Sequence, residues 1–232
     1  MAESQISQLE NISAQDQRMI RDIETMVGPE PSHMGLIKNM FWGRFRDDLV
    51  FPYPEESNEQ REKADSLLEK LETYLEDEHP SILIDQEEYI PDWCIDRLFG
   101  LGVMGMTIPE EYGGLGLGVT AYNRVLELIG KYCASTAVVV SAHQSIGCKA
   151  IMLFGNDAQK GRYLPMVAKD TMSAFCLSEP NVGSDAAGQE TYCEKTSDGE
   201  FYVINGEKKW STSGAMAGLF TVMTKQILVD KE

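Results

Sequence analysis

FCLSEPNVGS (Phe175–Ser184) and KWSTSG (Lys209–Gly214) decide how this chain is read. The first runs from apolar, strand-forming residues into a Pro-Asn turn and a Gly-Ser pair. The second sets an indole two residues before a threonine. Together they offer backbone amides, hydroxyls and one large flat ring, the groups a planar heteroaromatic cofactor takes on its face and polar edges. They also mark a change of period. Upstream of about Ser173 the apolar residues recur at helical spacing. Downstream, segments 173–177, 191–195, 200–205, 208–211 and 219–225 are rich in Phe, Tyr, Val, Ile and Thr and alternate. Asp198-Gly199, Asn205-Gly206 and Ser213-Gly214 supply turns between them. The expected class is α+β in several domains: an all-α N-terminal domain followed by a partial antiparallel β-barrel.

Working upstream, Asn156 caps a helix expected to break before Pro165. Ser135 opens an apolar segment that ends at Gly155. His143, Gln144 and Lys149 interrupt it, which predicts a buried core helix rather than a membrane span. Thr120 is read as the cap of a helix carrying Tyr122, Val125, Leu126, Ile129 and Cys133. A further helix begins at Pro91 and ends in the glycines at 100–105. Ser57 and Gln60 form the pattern of a capping box ahead of the stripe Ala64, Leu67, Leu68, Leu71 and Leu75. Residues 34–54 crowd Phe41, Trp42, Phe45, Phe51 and Tyr53 into a short helix and an extended arm expected to bury its aromatics elsewhere. Met19, Ile20, Ile23, Met26 and Val27 have helical spacing, closed by Gly28-Pro29. The expected domains are an extension and aromatic arm over 1–54, a helical domain over 55–172 and an incomplete β domain over 173–232. About five strands in sixty residues would leave an unpaired edge and an uncovered face, so further strands are expected to complete the sheet.

The 232 residues carry a net charge of -17, with 23 acidic and 9 basic side chains in the first hundred. That balance argues against nucleic acid and anionic membranes as partners. Five cysteines without a C-x-x-C pair read as reduced intracellular thiols, and three scattered histidines make a metal site improbable. The N-terminus has neither a secretory nor an Arg-rich transit pattern. TIPEEYGGLGLG (Thr107–Gly118) lacks the G-x-G-x-x-G spacing and reads as a turn. Ser184 lacks the G-x-S-x-G context of a hydrolase nucleophile.

The order FCLSEPNVGSDAAG, DGEFYVINGEKKWSTSG and LFTVMTK resembles the flavin-binding signature of the acyl-CoA dehydrogenase family. The likeness extends upstream through GLGVMGMTIPEEYGGLGLGVTAYNRVLELIG and LFGNDAQKGRYLP. MFWGRFRDDLVFPYP and SAHQSIGCKAIMLFG look most like its very-long-chain branch. The resemblance implies a helical N-terminal domain, a central β-barrel and a C-terminal helical bundle, assembled as a homo-oligomer around FAD. It implies α,β-dehydrogenation of long-chain fatty acyl-CoA in β-oxidation, with an electron-transfer-flavoprotein-type acceptor. By matching positions, Phe175, Leu177 and Ser178 lie along the flavin, and Ser178 stands where threonine is usual. Gly183 and Ser184 form the turn where cofactor and CoA arm meet, and Ser184 is the substrate contact. Trp210 matches the ring packed on the flavin and Thr212 the hydroxyl at its polar edge; Ser211, also a cofactor-binding position, replaces a usual apolar residue, and Ser213 a common asparagine. No position matches the family's catalytic glutamate, which belongs to the C-terminal bundle. Glu179 corresponds to the cofactor turn and not to the base. The chain alone is therefore expected to be inactive.

Three alternatives remain at this stage: an acyl-CoA oxidase, another flavoenzyme of the same fold, or a non-catalytic interaction module. The expected location is the cytoplasm for a bacterial protein, and the mitochondrial matrix or inner-membrane surface for a processed eukaryotic one.

Overall fold

The computed structural model describes residues 34–53 and 55–226, together with Ser13 and Met19. The remainder of the helical pattern expected over 1–27, and the last residues of the chain, lie outside the described residues. The chain forms two compact units, Met1–Glu55 and Glu56–Glu232.

In the first unit, α1 (Leu36–Phe41) is a short helix followed by a 3-10 turn at Asp47–Leu49. Asn39 donates through Nδ2 to the Met34 carbonyl at 2.9 Å. The aromatics expected to be buried are exposed: Phe41 is 81% and Phe45 67% accessible. Phe41 and Trp42 meet edge to face, as do Phe51 and Tyr53. Six residues of helix present too little apolar face to cover so many rings.

The second unit begins with α2 (Asn58–Asp77), whose Ala64, Leu67, Leu71, Tyr74 and Leu75 are buried along one stripe. Ser57 Oγ accepts from the Gln60 amide at 3.2 Å. The capping box is only half made, because the Gln60 side chain turns elsewhere. Its Nε2 donates to Gly116 O and its Oε1 accepts from Gly118 N, both at 3.1 Å. One amide thus ties the first turn of α2 to the glycine loop. Removing both bonds in Gln60→Ala is expected to lower the unfolding free energy by about 1–2 kcal/mol, read as a lower urea midpoint at unchanged slope.

α3 (Ser81–Glu87), missed by periodicity, is a short helix closed by Glu88 in the left-handed region at φ 52°. α4 (Asp92–Gly100) and α5 (Val119–Tyr132) pack with α2. Leu98, Val125 and Ile129 are fully buried between them. The cap of α5 is Gly118 and not Thr120, because Gln60 holds the Gly118 amide and the helix starts two residues earlier than the threonine suggests.

The apolar segment Ala134–Phe154 forms α6 (Ala134–Ala142), a π turn (His143–Gly147) and α7 (Cys148–Phe154). By length and composition it could cross a bilayer, at 21 residues and mean hydropathy 1.4. Core helices pass the same test. It is only partly the buried helix expected. Val140, His143, Gln144 and Cys148 are buried, but Val138, Leu153 and Phe154 face outward. α6 is apolar on all sides, so packing one face leaves apolar residues on the other.

α8 (Asp157–Lys169) has a complete capping box between Asn156 and Gln159. It also runs through Pro165, where a break was expected. At that point the helix forgoes the bond to the Gly161 carbonyl, which Pro165 has no N–H to make. Leu164, Val167 and Ala168 bury against Ile108 and Cys148 on either side of the proline and stabilise the continuous helix.

Past α8 lie β1 (Ser173–Cys176), β2 (Tyr192–Lys195), β3 (Tyr202–Asn205), β4 (Leu219–Val222) and β5 (Lys225–Gln226). The antiparallel reading holds for the β2–β3 hairpin, in register from Tyr192↔Asn205 to Lys195↔Tyr202. β1 and β4 pair in parallel, as do β2 and β5. The long connections between these partners permit parallel pairing, which a tight turn does not. The described strands form two small sheets and no closed barrel. The expected strand at 208–211 is absent, because Trp210 adopts φ 59° and leaves the extended region.

Candidate flavin site at the helix-to-sheet junction

The π turn carries polar groups that periodicity alone did not single out. His143 Nε2 lies 2.9 Å from the Val167 carbonyl and must donate to it. Its Nδ1 accepts from the Ser173 amide at 3.1 Å and faces Ser173 Oγ at 2.9 Å. The imidazole is therefore neutral with its proton on Nε2. Burial draws its pKa down to about 4, against the opposing pull of the Val167 carbonyl. One side chain thus joins the π turn, the end of α8 and the first residue of β1. Gly147 lets them approach: a Cβ there would lie 2.8 Å from Ser173 Cβ.

Cys148 Sγ is 3.6 Å from His143 Nε2 and 3.7 Å from Ser173 Oγ, an arrangement that superficially suggests a nucleophile. Burial pushes the thiol up to about 12, with the Ser173 contact opposing. A thiol that stays protonated beside a histidine committed to a carbonyl has no nucleophilic role. Gln144 serves the next anchor. Its Nε2 donates to Met104 O, and its Oε1 accepts from the Thr107 amide at 3.1 Å and from the Thr107 hydroxyl. Bulged helical turns of this kind make room for such side chains.

β1, positioned by these anchors, delivers Phe175 and then the turn. Phe175 is opposite Thr221 of β4, and Leu177 and Ser178 are half-buried. Glu179 and Val182 exchange backbone bonds of 3.0 and 3.2 Å around Pro180-Asn181. Gly183 and Ser184 follow on an exposed loop. The second motif reaches the first through the Lys209 amide, which donates to Ser178 O at 2.7 Å. Trp210 comes next, 88% exposed and in the left-handed region. That conformation costs a non-glycine residue roughly 1–2 kcal/mol. Ser211 is half-buried and Thr212 is exposed. The structure therefore brings Ser178 together with Lys209 and sets Trp210 beside them. Among the described residues, no hydrogen bond links Gly183 or Ser184 to the 210–212 segment.

Glu179 is 5% exposed and is the polar centre of this junction. Its carboxylate accepts from the Glu190 amide, from the Thr191 amide at 3.0 Å and from Lys208 Nζ at 2.6 Å. Burial pushes its pKa up, but Lys208 and the two amides outweigh that and bring it to about 2. A carboxylate so acidic and so fully engaged is a poor proton acceptor at neutral pH. Its placement agrees with a structural place in the turn. Among the described residues no group of His, Cys, Asp or Glu is arranged to hold a metal.

The junction thus combines an exposed indole held out of the extended region with a serine-bearing turn, in a small β region that follows a helical domain. Residues 57–171 match the family model for the acyl-CoA dehydrogenase N-terminal domain, and residues 174–232 match that for the acyl-CoA dehydrogenase middle domain. The chain belongs to the acyl-CoA dehydrogenase family. It is 40% identical over 193 residues to the mitochondrial very long-chain specific acyl-CoA dehydrogenase of Macaca fascicularis, covering 82% of this chain and 30% of that protein. It is 39% identical over 189 residues to the probable acyl-CoA dehydrogenase FadE10 of Mycobacterium tuberculosis, covering 81% and 29% respectively. Its structure resembles that of an acyl-CoA dehydrogenase complexed with FAD from Bacillus anthracis. The TM-score is 0.66 at 34% identity, over 74% of this chain and 29% of the other. The chain spans about 30% of the length of the curated relatives it matches.

Proposed function

We propose that this chain supplies the helical domain and the first part of the flavin-binding β domain of an FAD-dependent acyl-CoA dehydrogenase acting on long-chain fatty acyl-CoA thioesters. The observation that carries this reading is the Lys209–Ser178 backbone bond, which leaves Trp210, with its exposed ring, next in the chain after the residue bonded to the Ser178 turn. These residues fit a flat, polar-edged group. The indole offers an exposed face, and the strain at Trp210 is the kind that persists where a site is preorganised. When bound, FAD supplies the acceptor for the electrons removed from the acyl chain. Phe175, Leu177 and Ser178 line it, Trp210 stacks on it with Ser211 beside it, and Thr212 meets its polar edge. Gly183 and Ser184 stand where cofactor and CoA arm converge, with Ser184 contacting substrate.

None of the described carboxylates is assigned as the base. Glu179 is already satisfied, and the reading places the base in the portion of the relatives' length that this chain does not span. On this reading the complete protein is a homo-oligomer that passes electrons to an electron-transfer flavoprotein. On the same reading the complete protein works in the mitochondrial matrix or at the inner-membrane surface if eukaryotic and in the cytoplasm if bacterial; its relatives include a mitochondrial and a mycobacterial protein.

Titrating the chain with FAD and following tryptophan quenching tests the site. Trp210→Ala is expected to weaken binding by about tenfold, equivalent to ~1.4 kcal/mol. Its far-UV circular dichroism should not change, because the ring is 88% exposed and packs on little. FAD affinity independent of Trp210 would rule out the assignment of this ring. Supplied with fatty acyl-CoA and an artificial acceptor, the chain alone is expected to show no turnover.

A further inference from the structure

We propose that Glu179 and Lys208 form a clamp that fixes the spacing of the two motif segments, with Lys208 as the positioning residue for Trp210. Lys208 Nζ donates to three acceptors: Glu179 Oε1 at 2.6 Å, Leu177 O at 3.0 Å and Gln189 Oε1 at 3.4 Å. Three donors meet three acceptors, so the ammonium is satisfied while its side chain is only 10% exposed and that of Glu179 only 1%. Glu179 in turn holds the amides of Glu190 and Thr191. Three stretches distant in sequence, 177–179, 189–191 and 208, therefore converge on one ion pair.

Stability alone does not require this arrangement. A buried ion pair can often be replaced by well-packed apolar residues at no loss, so its distinctive contribution here is register. Lys208 is two residues before Trp210, and the residue between them makes the single backbone bond to Ser178. Trp210 is held at φ 59°, away from its relaxed conformation. Releasing Lys208 lets that segment relax toward extended backbone and shifts Trp210 relative to the Ser178 turn. The clamp is a property of the chain itself; that the ring it positions receives a flavin rests on the reading given under Proposed function.

The test compares Lys208→Met, the charge-neutral pair E179Q/K208M and the conservative Lys208→Arg. Hydrogen exchange on the chain without ligand reads the clamp directly. The Lys209 amide is expected to exchange at least about tenfold faster in both Met-containing variants, with the amides of α5 unchanged. The neutral pair guards against unfolding caused by a stranded charge. With FAD added, the same variants should bind about tenfold more weakly and give an altered visible circular dichroism of the flavin, with Lys208→Arg recovering much of both. Unchanged Lys209 exchange in the folded neutral variant would overturn the clamp, whereas faster exchange with an identical flavin spectrum would overturn Trp210 as the ring on the flavin. If the wild-type chain binds no FAD while Lys209 responds, the clamp stands and the flavin reading falls.

Discussion

Lowering the pH from 6.5 to 4 is expected to remove roughly 3 kcal/mol of unfolding free energy through His143 alone. The folded imidazole has a pKa of about 4, against 6.5 for the free group. Between those values the unfolded chain takes up a proton that the folded chain refuses, so stability falls as pH falls. Below pH 4 both states are protonated and the loss levels off. The refusal has a structural cause. Nε2 is already the donor to Val167 O, and protonating Nδ1 would set an N–H against the Ser173 amide that now donates to it. His79 is also lowered by burial and acts in the same direction, so the quantity to measure is the difference between wild type and His143→Gln. Urea midpoints across this range should fall steeply in the wild type and more gently in the variant. Parallel pH dependences would show that His143 carries no such linkage. Glu179 adds a separate, lower window: its stabilising contribution is complete above pH 4.5 and is lost as pH falls toward 2.

The mechanism of that linkage explains what the sequence could and could not disclose. Helix existence and type were legible wherever the signal was local, as in the Ser57 cap, the α2 stripe and the Asn156–Gln159 box. The motif residues were legible as chemistry, since an indole and several hydroxyls at fixed spacing limit the groups they suit. Long-range commitments were not. Gln60 looks like a capping-box partner until Gly116 and Gly118 are brought to it from 56 and 58 residues away. His143 gives no periodic signal, because its partners are the Val167 carbonyl and the Ser173 amide, 24 and 30 residues on. Glu179 flanks the turn, but its partner Lys208 is 29 residues distant and reads as an ordinary strand lysine. The lost strand at 208–211 has the same origin. Alternation favours a strand there, and tertiary contacts to Ser178 and Glu179 override it.

Gly114→Ala is expected to be among the most damaging single substitutions, costing about 3 kcal/mol, near the upper end for overpacking. The sequence TIPEEYGGLGLG suggests a flexible turn, and the conformational freedom of glycine would be the ordinary explanation. For Gly114 that is not the reason, since its φ is not in the left-handed region. The loop instead folds back on itself. Leu115 N bonds Gly105 O at 3.1 Å, Gly116 N bonds Ile108 O at 2.9 Å and Leu117 N bonds Met106 O at 2.8 Å. A Cβ on Gly114 would lie within van der Waals distance of the Ile108 and Gly105 carbonyl oxygens. Backbone oxygens engaged in that ladder cannot step aside as a flexible side chain would. Relief requires opening the loop, which unseats Met106, Ile108 and Leu117 from buried positions. Gly118→Ala is the control, because a Cβ there meets nothing within 4 Å. Urea denaturation should place Gly118→Ala close to wild type and Gly114→Ala far below it. Equal midpoints for the two would mean that the loop tolerates a methyl group and that its close backbone approach is not what the glycine is for.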